Sequence, residues 1–153
     1  DLKNIRYLTA HINGGQEMLK AIKKTAKKVN NKLKILGVTV LTSISDKSLK
    51  EIGHTRSIKN LVIQQARMAR SAGLDGIVCS GKEVTILKKI CAKMEIVTPG
   101  IRLARDSAQD QNKNRVITPK KAFKNGATAI VIGRSITQGS VKKNIQKLIK
   151  SLN

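Results

Sequence analysis

Ile130-Val131-Ile132-Gly133-Arg134-Ser135 is the stretch whose residue types could do chemistry by themselves. An apolar, β-branched run ends in a glycine, and an arginine and a serine then open a segment of helical pattern. A buried parallel strand reads this way. Backbone just past its carboxyl end can approach a ligand closely, because Gly133 has no side chain in the way. Gly133 and Arg134 could together offer two N–H groups and a guanidinium fork to one phosphate. A plain structural turn is the competing reading, and the rest of the chain has to decide between them.

Other polar or glycine residues recur where apolar runs end: His11, Thr42-Ser43, Ser80, Thr98-Pro99-Gly100-Ile101-Arg102. The elements that must position them alternate. Ile5 to Ala10 reads as a strand, Asn13-Gly14-Gly15 as a turn, and Met18, Leu19, Ile22, Ala26 and Val29 keep helical spacing. Leu33 to Leu41 is the second strand, with a loop from Asp46 to Thr55. Ile58, Leu61, Val62, Gln65, Ala66, Met68 and Ala69 mark a helix stopped at Gly73. Leu74 to Ser80 is a third strand, followed by a helix through Val84, Leu87 and Ile90. Glu95 to Thr98 is a fourth strand. The polar stretch from Arg102 to Arg115 reads as a long loop. Thr118-Pro119 opens a helix as N-cap and first position, and Asn125-Gly126 closes it. Ala127 to Ile132 is the fifth strand, and Ile136 to Leu152 the last helix.

Five strands, each followed by a helix, require right-handed crossovers and a parallel sheet. An open doubly wound sheet would carry G-x-G-x-x-G after its first strand, and that pattern is missing. Polar residues at every strand end fit instead a (β/α) barrel, whose site is built from the carboxyl ends of several strands. The expectation is therefore an α/β chain of the TIM barrel class, residues 1–153 forming one partial barrel of five β/α units.

Composition narrows the function. At 153 residues with 40% apolar content the chain can bury a core. With only Tyr7 and Phe123 as aromatics, that core must be Ile, Leu, Val and Ala. The formal charge of +22 invites a nucleic-acid reading. Yet the lysines occupy polar positions between apolar ones (Lys23, Lys24, Lys27, Lys28; Lys142, Lys143, Lys147, Lys150), as on solvated helix exteriors. Stacking platforms, helix-turn-helix and zinc-finger patterns are missing, so no specific nucleic-acid partner is expected. Cys79 and Cys91 fit no zinc or redox spacing and read as buried thiols of a reducing cytoplasm. No secretory pattern and no membrane-length apolar run is read, so the expected location is cytoplasmic, away from the membrane. The chain opens on Asp1 rather than methionine and reads as a piece of something longer.

Five blocks then occur in order: Val38-Thr39-Val40-Leu41-Thr42-Ser43, Gly73-Leu74-Asp75-Gly76-Ile77-Val78-Cys79-Ser80, Val97-Thr98-Pro99-Gly100-Ile101-Arg102, Asp110-Gln111, and Val131-Ile132-Gly133-Arg134-Ser135-Ile136-Thr137. With His11 and Gly14-Gly15 ahead of them, the ordered set resembles bacterial orotidine 5′-phosphate decarboxylase over essentially the whole chain. The resemblance implies a (β/α)₈ barrel, here represented by its fourth to eighth strands. It implies a homodimer that converts orotidine monophosphate to uridine monophosphate (UMP) and carbon dioxide without metal or organic cofactor.

Carried over singly, Thr42 matches the position that contacts the base side of the nucleotide. Arg102 and Gln111 match the flanks of the phosphate loop, and Gly133 with Arg134 the phosphate grip after the last strand. His11 and Pro99 are secondary candidates, for which packing is the competing role. The family's D-x-K-x-x-D motif has no match: Asp1-Leu2-Lys3 is followed by Asn4-Ile5-Arg6 and lies too near His11. The resemblance therefore implies no catalytic residue here, and a chain that grips nucleotide without decarboxylating it. Two alternatives stand beside it: a related phosphate-binding barrel of the hexulose-phosphate synthase type, and a basic nucleic-acid-binding module.

Overall fold

The computed structural model describes residues 4–103 and 116–152. Its element order is β1 (Tyr7–His11), a 3₁₀ turn (Ile12–Gly14), α1 (Gly15–Val29), β2 (Lys34–Val38), α2 (Asp46–Glu51), α3 (Ile58–Ser71), β3 (Gly76–Val78), α4 (Val84–Ile90), β4 (Glu95–Thr98), α5 (Pro119–Asn125), β5 (Ala129–Ile130), α6 (Arg134–Thr137) and α7 (Val141–Leu152). The five strands form one sheet in sequence order, and every pairing is parallel. This is the expected partial barrel with its alternating helices.

Register divides the sheet into two faces. Ile35, Ile77 and Ile96 lie on the face covered by helices, each fully buried. They pack in one core with Leu19, Val62, Ala66, Val84, Leu87 and Ala122. Three inner strand residues of this kind remove enough apolar surface to stabilise the sheet by roughly 1.5–3 kcal/mol each. The opposite face carries Tyr7, Thr9, Lys34, Leu36, Val38, Gly76, Val78, Glu95 and Val97.

Curvature is measured by one contact on that second face. The Tyr7 hydroxyl donates to Glu95 Oε2 at 2.7 Å, joining β1 to β4. In a flat sheet three strand spacings would hold those backbones about 14 Å apart, with side chains projecting side by side. The bond spans a chord across a concave surface, so this face is the inside of a barrel segment. Gly76 on β3 leaves room beneath the chord: a Cβ there would meet the Leu36 side chain at 2.6 Å and the Glu95 carbonyl oxygen at 2.7 Å.

Differences from the sequence reading are local. The expected loop from Asp46 to Thr55 contains α2, capped where Ser45 accepts a hydrogen bond from Ser48 N at 3.1 Å. The expected single helix from Ile136 to Leu152 is two helices, broken where Gly139 takes φ +77°. The strands are also shorter than their apolar runs, because Leu33, Val40, Leu74 and Cys79 are buried in connections beyond the paired residues.

Candidate functional site

Because every pairing is parallel, all five strands bring their carboxyl ends to one pole. His11 is the exposed last residue of β1. Thr42 sits half-buried in the turn closed by Ile44 N donating to Leu41 O at 3.1 Å. Thr39, just past β2, extends the strand toward this pole by donating its hydroxyl and its N–H to Val78 O at 2.8 and 3.1 Å. Pro99 follows β4 and is half-buried. Gly133 caps α6, and Arg134 is the first residue of that helix. The topology thus gathers His11, Thr42, Pro99, Gly133 and Arg134 at one end of the sheet. Gln111 lies outside the described residues.

Arg102 stands at the foot of the segment that follows β4. It is only 7% exposed, and its Nη1 donates to Ile101 O at 3.1 Å. The foot is pinned by a parallel bridge between Ile101 and Ile117, with Arg102 N donating to Ile117 O at 3.2 Å and Ile117 N to Gly100 O at 3.3 Å. Ile117 in turn fills the space above Gly81, where an added Cβ would lie 2.0 Å from its Cδ1. The two ends of the intervening segment are therefore fixed at the same pole as the strand ends.

Space and unsatisfied hydrogen-bonding groups also collect there. A Cβ built on Gly133 would meet nothing within 4 Å. Two buried hydroxyl oxygens, Thr98 Oγ1 and Ser135 Oγ, have no hydrogen-bond partner among the described residues. Thr98 precedes Pro99, and Ser135 follows Arg134. Nothing in their residue types marks them out; only their places do, Thr98 as the last residue of β4 and Ser135 as the second residue of α6. Ser80, fully buried past β3, is by contrast satisfied locally, its Oγ accepting from Lys82 N and its N–H donating to Glu83 Oε2.

The opposite pole corrects the expectation that the lysines sit on helix exteriors. Lys34 opens β2 and shares the inner face with Tyr7 and Glu95. Its ammonium pairs with Glu95 Oε1, and Arg6 stacks over the Tyr7 ring at 5.4 Å. Burial, the largest influence on Glu95, pushes its carboxyl up. The hydrogen bonds from Lys34 and Tyr7, with the charges of Lys34 and Arg6, outweigh burial and hold it below the ordinary value. The hydrogen bonds to Glu95 raise both Tyr7 and Lys34. Lys34 is four residues before the end of β2, so about 13 Å separates it from the strand-end pole. Lys23 is likewise engaged rather than solvated, bonded to Asp75 at 2.5 Å. The remaining named lysines of α1 and α7 are exposed, as expected, apart from these two ion pairs.

Cys79 and Cys91 are buried thiols outside any disulfide, and burial pushes the Cys91 thiol up against the opposing pull of Arg70. Among the described residues no cluster of three His, Cys, Asp or Glu side chains could hold a metal, and no helix is long and apolar enough to cross a membrane.

A model of the orotidine 5′-phosphate decarboxylase / HUMPS family matches residues 2–147. Orotidine 5′-phosphate decarboxylase of Buchnera aphidicola subsp. Acyrthosiphon pisum is 42% identical over 147 residues, which are 95% of this chain and 61% of that protein. The enzyme of that name from Methylacidiphilum infernorum is 44% identical over 152 residues, 97% of this chain and 64% of that protein. The crystal structure of orotidine 5′-phosphate decarboxylase from Lactobacillus acidophilus superposes with a TM-score of 0.81 at 36% identity, covering 97% of this chain and 64% of that one. The chain thus spans less than two thirds of the length of these relatives.

Proposed function

The chain belongs to the orotidine 5′-phosphate decarboxylase / HUMPS family, and from that premise we propose that it carries the nucleotide-holding side of a decarboxylase that converts orotidine monophosphate to UMP and carbon dioxide. The observation that carries this reading is the gathering of Thr42, Pro99, Gly133 and Arg134 at one pole, with open space over the Gly133 backbone. A phosphate dianion needs several donors fixed in advance, and Arg134 adds the planar fork that lysine lacks. Thr42 lies across the sheet from Arg134, on the side where the base of a bound nucleotide would rest. Gln111 would bridge phosphate and base edge, and Arg102 holds one foot of the segment that carries it.

Expelling carbon dioxide leaves a carbanion-like centre on the pyrimidine ring. A protonated amine must stabilise that centre and then protonate it, with carboxylates holding the amine in place. Lys34 is the one lysine on a described strand, but it is bonded to Glu95 at the far pole. The chain by itself is therefore a binder without turnover. In the whole protein the working form is a homodimer in the cytoplasm, and no metal or organic cofactor takes part.

Two measurements on the purified 153-residue chain test this. UMP should bind saturably, and Arg134→Ala should weaken it by about 10- to 100-fold, the range for a lost charge-assisted hydrogen bond. Orotidine monophosphate should not be consumed. Turnover by the chain alone would sink the division between grip and catalyst. Steeply salt-dependent RNA binding with no response to UMP would replace the reading with a basic nucleic-acid module.

A further inference from the structure

Charge is divided unevenly between the two ends of the sheet. Residues 30–33, 72–75, 91–94 and 126–128 alone join a helix to the next strand, so the carboxyl ends of α1, α3, α4 and α5 lie at the pole where the strands begin. Lys27 and Lys28 lie in the last turn of α1, Lys89 in that of α4 and Lys124 in that of α5, while Lys32 and Lys93 stand in two of the links. All are exposed, and none forms an ion pair among the described residues.

The carboxylates of this pole do not balance them. Asp75 accepts from Lys23 at 2.5 Å and from Ile35 N at 2.7 Å, and Glu95 is held by Lys34 and Tyr7. The other described carboxylates lie toward the opposite pole: Glu17 in the first turn of α1, Asp46 and Glu51 in α2, and Glu83 just before α4. A cation at a helix carboxyl end complements the helix dipole. That accounts for the helix-end lysines, but not for Lys32 and Lys93 in the links, nor for a rim where no described carboxylate is left unpaired.

The corner between α1 and β2 gives the rim a shape. Lys27, Lys28, Val29, Asn30, Asn31 and Lys32 line an open depression of about 530 Å³. Asn30 Oδ1 accepts from Lys32 N at 2.9 Å, a turn that fixes the Lys32 backbone in its wall. Beyond it Lys93, before β4, and Lys124, before β5, follow the strand order round the sheet.

We propose that this pole is a docking face for single-stranded nucleic acid, held by its phosphates without regard to sequence. Lysine ammoniums are point charges that hold phosphate and read no base edge. Because the lysines follow a curved rim, the partner must bend with them and carry charge at every step. A flexible single strand does so, and a flat bilayer or a stiff duplex does not. The face lies at the end opposite the nucleotide grip, so it does not depend on the decarboxylase reading, and a bound strand leaves the grip open.

The test is fluorescence anisotropy of a labelled oligouridylate of about 20 nucleotides with the purified 153-residue chain. Binding should saturate, and the logarithm of the association constant should fall linearly with that of salt between about 50 and 200 mM. Lys27→Gln, Lys28→Gln and Lys32→Gln together should reduce that slope by about 2, at about 0.7 per phosphate contact, and weaken binding about tenfold or more at low salt. Lys47→Gln, Lys50→Gln and Lys59→Gln, an equal loss of charge from exposed positions on α2 and the start of α3, should change affinity by about twofold at most. An unchanged urea midpoint shows that each variant is folded. Equal losses in the two triple variants would trace binding to net charge rather than to a face and overturn the proposal. No saturation up to about 100 μM would overturn it as well. Displacement of the strand by UMP would move it to the strand-end pole, and displacement by polyglutamate or phosphatidylserine vesicles at matched charge would give the face to an acidic protein or a membrane; either overturns it. UMP binding by the same sample, measured without the strand, bears on the nucleotide grip alone.

Discussion

Gly133 is the residue at which fold and ligand can be separated. A Cβ there touches none of the described residues, so Gly133→Ala should leave unfolding stability within about 0.5 kcal/mol of the parent. If a phosphate lies against that backbone, the same methyl stands in its way, and UMP affinity should fall about tenfold. Calorimetric titration beside a urea melt reads both quantities, and unchanged affinity would remove Gly133 from the grip. At the other pole the Tyr7, Lys34 and Glu95 cluster predicts a pH dependence. Glu95 is held low, so its contribution is present above the ordinary glutamate value, about 4.3, and fades as pH falls through its folded value. Tyr7 and Lys34 are raised, so theirs is present below about 10 and fades as pH rises through their folded values. Glu95→Gln should lower the urea midpoint most on the plateau between these limits and flatten both flanks. A variant as sensitive to acid and alkali as the parent would show that the cluster contributes nothing.

The elements depend on a few local devices that were legible in the chain and a few that were not. Thr118 caps α5 by accepting from Lys121 N at 3.4 Å, Pro119 fills the first turn, and Gly126 closes the helix at φ +106°. All three have residue types that announce their positions, and Thr118→Ala should cost about 1 kcal/mol in a denaturant melt. Ile96, fully buried under the helices, should cost about 2–5 kcal/mol as alanine. The β-branched runs marked every strand, because parallel strands buried under helices need such residues. The helix α2 stayed hidden: Asp46 to Glu51 holds a single apolar side chain, Leu49, too little for a period to emerge. The break falls at Gly139, in the one gap of the run, where Thr137, Gln138, Gly139 and Ser140 separate Ile136 from Val141. The inner-face cluster was hidden for another reason, since Tyr7 and Glu95 are 88 residues apart and meet only because the sheet curls. Polar residues at strand ends could be found by spacing, whereas contacts across the barrel required its curvature.

At the scale of the molecule the sheet has two free edges among the described residues. Among the described residues β1 pairs only with β2, and Leu8 on its helix-facing side is 46% exposed. β5 likewise pairs only with β4 among them, and Val131 just beyond it is 52% exposed. The helix α7 buries no residue, and Val141, Ile145, Ile149 and Leu152 form an exposed stripe at helical spacing. Unpaired edges and an uncovered apolar stripe invite association. The 147 matched residues are 61% of the Buchnera relative, so about 94 of its residues lie outside the match. At about 31 residues per unit of a barrel of about 250 residues, that is three β/α units, the number needed to carry five strands to eight. The 153-residue chain should therefore self-associate when alone and form a 1:1 complex with a separate polypeptide of those residues. Sedimentation should show the complex, and its melting point should exceed that of the chain alone. Ile145→Lys with Ile149→Lys should abolish it, while Lys143→Glu on the exposed polar side of α7 should not. Turnover of orotidine monophosphate by the complex and by neither part would locate the grip on one piece and the catalyst on the other. A complex that forms without turnover would keep the docking surface and discard the catalytic assignment. No complex at all would mean that the free edges are closed by something other than the family's own strands.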